Sequence, residues 1–413
     1  MQTGENRAGT VVVGVCGGIA AYKTVALVSR LRQAGHAAHV AMTAAAERFV
    51  TPLTFAGVSG NRVWTRVFPD PEREGGDDLY PHLYPATQAD ALVIMPATAN
   101  TLERLARGCG DDPVTLCALS VPPTCRRIIC PAMNVEMWAQ PVVQEQVRLL
   151  ESRGWVRLGP DSGSLACGMQ GAGRMVEPET VLAHLVDYWE QRTSLAGKQI
   201  LIVSGPTREY LDPVRYLSNG SSGRMGQLLA ETAADRGATV HFITGPVGDA
   251  LLPRRSGITI KPVTSAQEMN EAAQTAFARA DVTICVAAVA DYRPRTYQAT
   301  KDAKPLEPWA LELEPTPDIA AGLGVRKRAG QQLIGFALQT GDGRVEAQEK
   351  LRRKRLDAIV LNHPEALGTE GGTYSWITTA GEDRWGSCTK MASAARIWDA
   401  VTNNPLCPGT STK

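Results

Sequence analysis

The chain has 413 residues, of which 44 % are hydrophobic and 21 % charged, with 43 Lys and Arg against 42 Asp and Glu. This composition is typical of a folded protein and excludes a disordered chain or a strongly basic nucleic-acid-binding surface. Because a single hydrophobic core rarely grows to this size, the length predicts two domains of roughly 200 residues.

The amino-terminal region leads from a polar arm into the apolar segment 11–15, VVVGV, which is too short for a secretory signal or a membrane span. Nine cysteines without a Cys-x-x-Cys pair fit reduced thiols better than a disulfide framework or a zinc site. We therefore predict a cytoplasmic protein with no membrane or nucleic-acid partner.

The first half alternates apolar runs with helical periodicity. A predicted strand at 11–15 is followed by an amphipathic helix that stops at Gly35, and a second strand is predicted at 39–43. Further strands are predicted at 91–98 and 126–133. Near-continuous apolar runs of this kind favour a parallel sheet covered on both faces, and hence an α/β fold.

The same pattern restarts after the polar stretch 190–198, so we place the domain boundary between residues 190 and 191. Strands are predicted at 239–244, 282–289, 333–337 and 358–361, interleaved with helices such as 265–280. Segments 69–81 and 292–317 have no regular periodicity and are predicted to be functional loops, and 402–413 is predicted to be a tail.

The turn GVCGGIAAYK, at 14–23, joins a strand to a helix amino terminus, where backbone N–H groups attract phosphate. It lacks the GxGxxG dinucleotide pattern, so a plain tight turn is the alternative. Thr43 closes the next strand and precedes another predicted helix. Together the two strand ends favour a mononucleotide such as FMN.

Polar side chains also follow the strands at 91–98 and 126–133. Thr98 and Asn100 lie in MPATANTL, and Asn134 ends CPAMN. The carboxyl ends of parallel strands face one crevice, so these residues are candidates for ligand contacts, while helix N-caps are the alternative. His82 and Cys167 lie in loop-like sequence, and a solvated histidine and an idle thiol are the corresponding alternatives.

In the second half, the glycine-, serine- and arginine-rich stretch 205–226 follows a predicted strand and opens a helix, which suits an anionic ligand. Another strand ends in Asp291 and leads to Lys301. Lys350 and Lys354 share a helical face, where their mutual repulsion favours a bound polyphosphate. The alternatives are a solvated loop and a solvated charged face.

The motifs GGIAAYK, PATANT, PAMN and ACGMQGAGRM, with His82 eight residues before Asp90, occur here in one order. In this respect the first half resembles the flavin-dependent cysteine decarboxylases. From about residue 11 to about residue 362 the chain resembles the bifunctional phosphopantothenoylcysteine decarboxylase/phosphopantothenate-cysteine ligase family of coenzyme A biosynthesis. The resemblance implies two doubly wound Rossmann-like domains, a flavodoxin-like flavoprotein domain at 1–190 and a ligase domain at 191–413.

For the first domain, the resemblance implies that His82 is the active-site base, that Asn134 holds the substrate carboxylate, and that Cys167 donates a proton from a loop that closes over the substrate. The product is 4'-phosphopantetheine. The implied FMN contacts are Gly17, Gly18, Ile19, Thr43, Thr98 and Asn100.

For the second domain, the resemblance implies that CTP and Mg2+ activate 4'-phosphopantothenate as an acyl-cytidylate, which cysteine then attacks. Asn219 is implied in acyl-cytidylate formation and Lys301 in its conversion to the amide; the metal ligands are not identified. A homo-oligomer is also implied. The implied CTP contacts are Cys285, Val286, Ala287, Asp291, Lys301, Pro317, Asp318, Ile319, Ala320, Phe336, Lys350 and Lys354.

The chain departs from the usual family pattern in three places. It has TKDAK around Lys301, FALQT with Gln339 in place of Glu, and HPEALG after Asn362. An FMN-binding regulatory protein of the same fold, with lapsed ligase activity, is therefore the alternative function.

Overall fold

A computed structural model describes residues 9–68, 84–164, 170–301, 309–339, 343–363 and 369–403. The chain divides into two compact units, Met1–Trp189 and Glu190–Lys413.

The first unit is built on a six-stranded parallel sheet with the order β3-β2-β1-β4-β5-β6. Its edge strand β3 has only two residues, and without it the order is that of flavodoxin-like folds. The strands of this unit are β1 (Thr10–Val15), β2 (Ala37–Met42), β3 (Val63–Trp64), β4 (Ala91–Ala97), β5 (Arg126–Pro131), β6 (Val156–Arg157), β7 (Asp161–Ser164) and β8 (Gln170–Arg174).

Helices cover both faces of this sheet. Val11, Val13 and Val15 of β1 pack into one hydrophobic cluster, while Val12 packs into a second cluster on the opposite face. This two-sided burial explains the continuous apolar run and confirms the predicted α/β fold. The helices are α1 (Ala21–Gln33), α2 (Pro52–Ser59), α3 (Ala99–Arg107), α4 (Pro113–Ser120), α5 (Val135–Ala139), α6 (Pro141–Ser152) and α7 (Pro178–Thr193).

Strands β7 and β8 form a separate antiparallel pair that flanks residues 165–169. The pair was not predicted, because its residues are mostly glycine, serine and alanine, which have low strand propensity. β8 packs on α5, since Met133 N donates a hydrogen bond to Gly173 O.

The second unit contains an eight-stranded sheet with the order β13-β12-β9-β14-β17-β18-β19-β20. Its strands are parallel through β18, whereas β19 and β20 are antiparallel additions. The strands are β9 (Gln199–Ser204), β10 (Arg208–Tyr210), β11 (Tyr216–Ser218), β12 (Thr239–Thr244), β13 (Ile258–Pro262), β14 (Val282–Cys285), β15 (Tyr292–Pro294), β16 (Leu313–Pro315), β17 (Gln332–Leu338), β18 (Ala358–Asn362), β19 (Gly371–Ile377) and β20 (Glu382–Thr389).

Two hydrophobic clusters lie on the two faces of this sheet, so the second unit is also doubly wound. On one face α8 approaches β9 closely, because a Cβ at Gly226 would meet Ser204 Oγ and lie 2.6 Å from Ser204 Cβ. The helices are α8 (Arg224–Asp235), α9 (Ala266–Phe277), α10 (Ile319–Arg326), α11 (Arg344–Arg353) and α12 (Lys390–Thr402).

Three sequence predictions need correction in this unit. The strand predicted at 282–289 ends at Cys285, because the following residues leave the sheet and line a cavity. The segment predicted to be irregular, 292–317, contains the antiparallel pair β15–β16. Thr402, which was assigned to the tail, is the last residue of α12. Among the described residues, none of the helices combines the length and apolar character needed to span a membrane.

Candidate functional sites

A cavity of about 620 Å³ lies at the carboxyl ends of β1, β4 and β5 in the first unit. This position is the topological switch point of the sheet, where open α/β folds bind their ligands. We call it the first-unit cavity. It is lined by Gly17, Gly18, Ile19, Ala20, Tyr22, Lys23, Thr98, Ala99, Ala132, Met133, Asn134, Met137, Gly173, Arg174 and Met175.

The amino terminus of α1 opens into the first-unit cavity. Its N-cap residue, Ala20, makes no side-chain capping hydrogen bond, while Ala21 N and Lys23 N donate hydrogen bonds of 3.0 Å to the backbone oxygens of Gly18 and Ala20. Gly17 packs against Ala45, and a Cβ at position 17 would overlap the Ala45 side chain. A helix start beside apolar walls such as Met133 and Met137 fits a phosphate joined to a flat aromatic ring.

Thr98 and Asn134 fulfil both of the roles considered for them. Thr98 caps α3 by accepting a hydrogen bond from Thr101 N, and Asn134 caps α5 by accepting one of 2.8 Å from Glu136 N. Both residues also line the first-unit cavity. Capping therefore fixes their side chains at the rim of the site rather than removing them from it.

Other predicted residues of the first unit lie elsewhere. Thr43 and Asn100 are not among the residues that line the cavity. Thr43 precedes the short 3-10 helix Ala46–Arg48, so the helix expected directly after it is only a single turn. His82 and Cys167 lie outside the described residues.

Sequence reasoning missed a cationic pair at this cavity. Lys23 Nζ lies 2.7 Å from Glu177 Oε1, and Arg174 Nη2 lies 2.5 Å from the same oxygen. Hydrogen bonds from Lys23 and Arg174 hold the pKa of the Glu177 carboxyl below its usual range. Lys23 is the last residue of the motif GGIAAYK. Its positive charge close to the glycines was the sequence signal that could have indicated a cation at this cavity.

The second unit has two adjoining cavities at its own switch point, between β9 and β14. The β14 cavity, of about 270 Å³, is lined by Val203, Cys285, Ala287, Ala288, Val289, Ala290, Asp291, Thr316, Pro317, Asp318, Ile319, Ala320, Gly335, Phe336, Lys350, Lys354, Leu356 and Ile359. The α8 cavity, of about 970 Å³, is lined by Asn219, Gly220, Ser221, Ser222, Gly223, Arg224, Met225, Gly226, Val286, Ala287, Ala288, Phe336, Leu338, Asn362, Tyr374 and Lys390. Ala287, Ala288 and Phe336 belong to both.

Most of the residues predicted to contact CTP line the β14 cavity. They are Cys285, Ala287, Asp291, Pro317, Asp318, Ile319, Ala320, Phe336, Lys350 and Lys354. Val286 and Asn219 line the α8 cavity instead. Lys301 is exposed and is not among the lining residues of either cavity.

Charge in the β14 cavity is organised around Asp318. Its carboxylate caps α10 through Ala321 N and accepts a hydrogen bond of 2.9 Å from Lys354 Nζ. Burial raises the pKa of the Cys285 thiol to about 12, so this cysteine is a neutral wall of the cavity. Lys350 stands one helical turn before Lys354, and the pair presents cationic side chains to one space.

The α8 cavity includes residues that the sequence analysis did not single out, namely Arg224, Tyr374 and Lys390. No group of three or more His, Cys, Asp or Glu side chains suited to a metal occurs among the described residues.

Two family models match the chain. Residues 2–190 match the family described as Flavoprotein, and residues 195–404 match the DNA/pantothenate metabolism flavoprotein C-terminal domain. The chain is thus a two-domain protein of the pantothenate metabolism flavoprotein class, and the first match supports FMN as its cofactor.

Curated relatives specify the family. The chain is 41 % identical over 372 residues to the coenzyme A biosynthesis bifunctional protein CoaBC of Bacillus subtilis, and the match covers 89 % of each chain. It is 40 % identical over 355 residues to the protein of the same name from Escherichia coli, with 85 % of each covered. The chain belongs to this bifunctional family of coenzyme A biosynthesis.

Solved structures match each half separately. The C-terminal domain of a coenzyme A biosynthesis bifunctional protein CoaBC is 37 % identical with a TM-score of 0.44, and the match covers 51 % of this chain and 96 % of that one. A PPC decarboxylase mutant complexed with pantothenoylaminoethenethiol is 26 % identical with a TM-score of 0.40, covering 45 % of this chain and all of that one.

Proposed function

We propose that the second unit joins 4'-phosphopantothenate to cysteine with CTP, and that the first unit decarboxylates the resulting 4'-phosphopantothenoylcysteine to 4'-phosphopantetheine. The observation that carries this proposal is that each unit of a chain from the bifunctional family has a cavity at its switch point, lined by its own motif residues. The product of one site is then the substrate of the other.

In the first unit, FMN supplies when bound the oxidation and reduction at the thiol-bearing carbon that make loss of CO2 feasible. The start of α1, with Gly17, Gly18 and Thr98, would hold its phosphate. Asn134 holds the substrate carboxylate from the cavity rim. His82 acts as the base, and Cys167 donates the proton that completes the product.

In the second unit, the nucleotide extends across the β14 and α8 cavities, which share walls. Lys350 and Lys354 offset the charge of the phosphates. Mg2+ bound with CTP would supply further positive charge to offset that of the phosphates. Asn219 serves formation of the acyl-cytidylate, the first step, and Lys301, on an exposed loop, closes over the acyl-cytidylate for the second.

Three further features of the proposal concern the whole protein. It acts on the small molecules 4'-phosphopantothenate, cysteine and CTP, without nucleic acid or a membrane. It works in the cytoplasm. It assembles as a homo-oligomer.

Mass spectrometry of the products after incubation of the FMN-loaded protein with 4'-phosphopantothenate, cysteine, CTP and Mg2+ tests both activities. We expect 4'-phosphopantetheine, CMP, pyrophosphate and CO2. His82→Asn is expected to retain FMN and to accumulate 4'-phosphopantothenoylcysteine. If the wild type releases CO2 from added 4'-phosphopantothenoylcysteine but releases no pyrophosphate, the ligase proposal is wrong. If it binds FMN and forms neither product, the regulatory alternative is correct.

A further inference from the structure

Two polar side chains of the α8 cavity, those of Lys390 and Tyr374, have no role in the ligase reaction proposed above. Lys390 is the first residue of α12, and Tyr374 lies on β19. Both belong to the part of the unit that follows the parallel strands. Both line the cavity together with residues of the loop that precedes α8.

Lys390 is only 6 % exposed, although its ammonium group is not among the fully buried polar atoms that lack a partner in the described part of the chain. Removing a charge from most of its water destabilises the folded state unless other charges compensate. Its place at the start of α12 adds to this cost, because the positive end of a helix dipole repels a cation. Burial lowers the pKa of Lys390, Arg224 lowers it further, and Glu370 opposes the change.

Tyr374 is 1 % exposed, and its hydroxyl group has no hydrogen-bond partner among the described residues. Burial raises the pKa of Tyr374 to about 12, so the hydroxyl keeps its proton and remains a donor. A buried donor left unpaired is costly, and native structures rarely retain one without a ligand or water to satisfy it.

The start of α8 lines the same cavity. Its N-cap is Gly223, which has no side chain, and the first N–H of the helix, that of Arg224, donates a hydrogen bond of 3.4 Å to Ser222 Oγ. Ser221 also lines the cavity, and its Oγ accepts a hydrogen bond of 3.4 Å from Gly223 N. Arg224 is engaged by Gln227 at 2.9 Å and only distantly by Glu370, at 3.7 Å. The cavity thus combines a helix amino terminus with a buried cation and a buried hydroxyl.

We propose that Lys390 and Tyr374 bind a phosphate group of a ligation substrate, together with the amino end of α8. The inference deepens the ligase activity proposed above and rests on it. The phosphate belongs either to the triphosphate of the nucleotide or to the phosphate ester of the pantothenate substrate. In either case Lys390 supplies the charge and Tyr374 a hydrogen bond.

Calorimetric titration of the full chain with Mg2+ tests this assignment. The ligands are CTP, cytidine, 4'-phosphopantothenate and inorganic tripolyphosphate, and the variants are Lys390→Met, Tyr374→Phe and Lys390→Arg. Lys261→Met is the matched control, because Lys261 is exposed on the edge strand β13. We expect Lys390→Met to raise the Kd of at least one phosphate-bearing ligand about 10- to 100-fold, and Tyr374→Phe to raise the same Kd by less.

The pattern of losses identifies the source of the phosphate. Weaker binding of CTP and tripolyphosphate, with cytidine and 4'-phosphopantothenate unchanged, assigns the site to the nucleotide. Weaker binding of 4'-phosphopantothenate alone assigns it to the pantothenate substrate. Lys390→Arg should restore much of the lost affinity. The inference is overturned if Lys390→Met binds every phosphate-bearing ligand as the wild type does, or if cytidine is weakened equally.

Two results distinguish failure of this inference from failure of the proposed ligase activity. If the wild type binds neither CTP nor 4'-phosphopantothenate, the proposed ligase activity fails, and the tripolyphosphate titration still decides whether Lys390 binds phosphate. Folding is checked by the Tm of the unliganded protein, which should be unchanged or higher in Lys390→Met because a largely buried charge at the amino end of a helix is removed. A lower Tm together with loss of cytidine binding would make Lys390 a structural residue and overturn the inference.

Discussion

The side-chain amide of Asn219 donates a hydrogen bond of 2.9 Å to the backbone carbonyl oxygen of Val289. This contact ties the loop before α8 to the segment that follows β14, and so joins the two walls between which the proposed nucleotide lies. A carboxylate at position 219 would be unable to donate this bond and would repel phosphate.

We therefore expect Asn219→Asp to prevent formation of the acyl-cytidylate. Pyrophosphate release from CTP and 4'-phosphopantothenate should fall by about 100-fold or more, comparable with the loss of one oriented donor. Asn270→Asp makes the same chemical change on α9 and should leave the rate unaltered. Equal rates for the two variants would remove Asn219 from the first step.

Lys301→Gln is expected to slow the second step of the ligation. Its ammonium is proposed to stabilise charge as the cysteine amine displaces CMP, a contribution of about 3 kcal/mol by analogy with an oxyanion donor. Quenched-flow separation of pyrophosphate and CMP should show normal pyrophosphate formation, slow CMP formation and accumulated acyl-cytidylate. Lys261→Gln is the control. CMP release at the wild-type rate in Lys301→Gln would disprove the assigned role.

Cys167→Ser is expected to retain FMN and to release CO2 while failing to form the saturated product. A serine hydroxyl is a much weaker acid than a thiol, so it is a poor proton donor at the reducing step. Mass spectrometry should detect an unsaturated product two mass units lighter than 4'-phosphopantetheine, a difference that corresponds to two hydrogens. Normal yields of 4'-phosphopantetheine would show that another group donates the proton.

The Glu177 cluster predicts a pH-dependent contribution to stability. Because hydrogen bonds from Lys23 and Arg174 lower its pKa in the folded state, the contribution is present above the unfolded pKa of about 4.3 and is lost as the pH falls through the folded value. The side chain is 41 % exposed, so solvent screening keeps the contribution below about 1 kcal/mol.

Thermal melting of wild type and Glu177→Gln between about pH 3 and pH 6 measures this contribution. The wild type should be the more stable protein at the upper end, and the difference should vanish at the lower end. Glu145→Gln, an equivalent neutralisation at an exposed position of α6, should show a smaller change. A difference that grows as the pH falls has the wrong sign for this mechanism.

Gly226→Ala is expected to destabilise the second unit. The new Cβ would lie 2.6 Å from Ser204 Cβ, so α8 would have to move from β9, at a cost of about 1–3 kcal/mol. Gly322→Ala is the matched control within α10, where the nearest atom is 4.0 Å away. That change should stabilise by about 0.5–1 kcal/mol, since alanine favours the helix. If urea denaturation shows that both variants change the free energy of unfolding in the same direction, the packing argument is contradicted.

The central parallel strands were predictable because burial on both sides makes them continuous apolar runs, as in β1 and β4, whereas the parallel edge strands β3, β6 and β13, which are short or partly exposed, were not predicted. β20 was not predictable, since nearly all of its residues are exposed or half-exposed and its sequence lacks strand alternation. The glycine-rich turn at Gly17 is a local signal within GGIAAYK. In contrast, Lys23 meets Glu177 across 154 positions of sequence, a proximity that only the fold creates.

The antiparallel strands β19 and β20 and helix α12 are the last elements of the second unit to be translated. A ribosome that has finished β18 has supplied every parallel strand, but not Tyr374 or Lys390, which line the α8 cavity. A nascent chain at that stage contains the parallel strands of the sheet but lacks these two lining residues of the α8 cavity. Truncated products that stop between β18 and α12 would accordingly be folded in part yet unable to hold substrate as the full chain does.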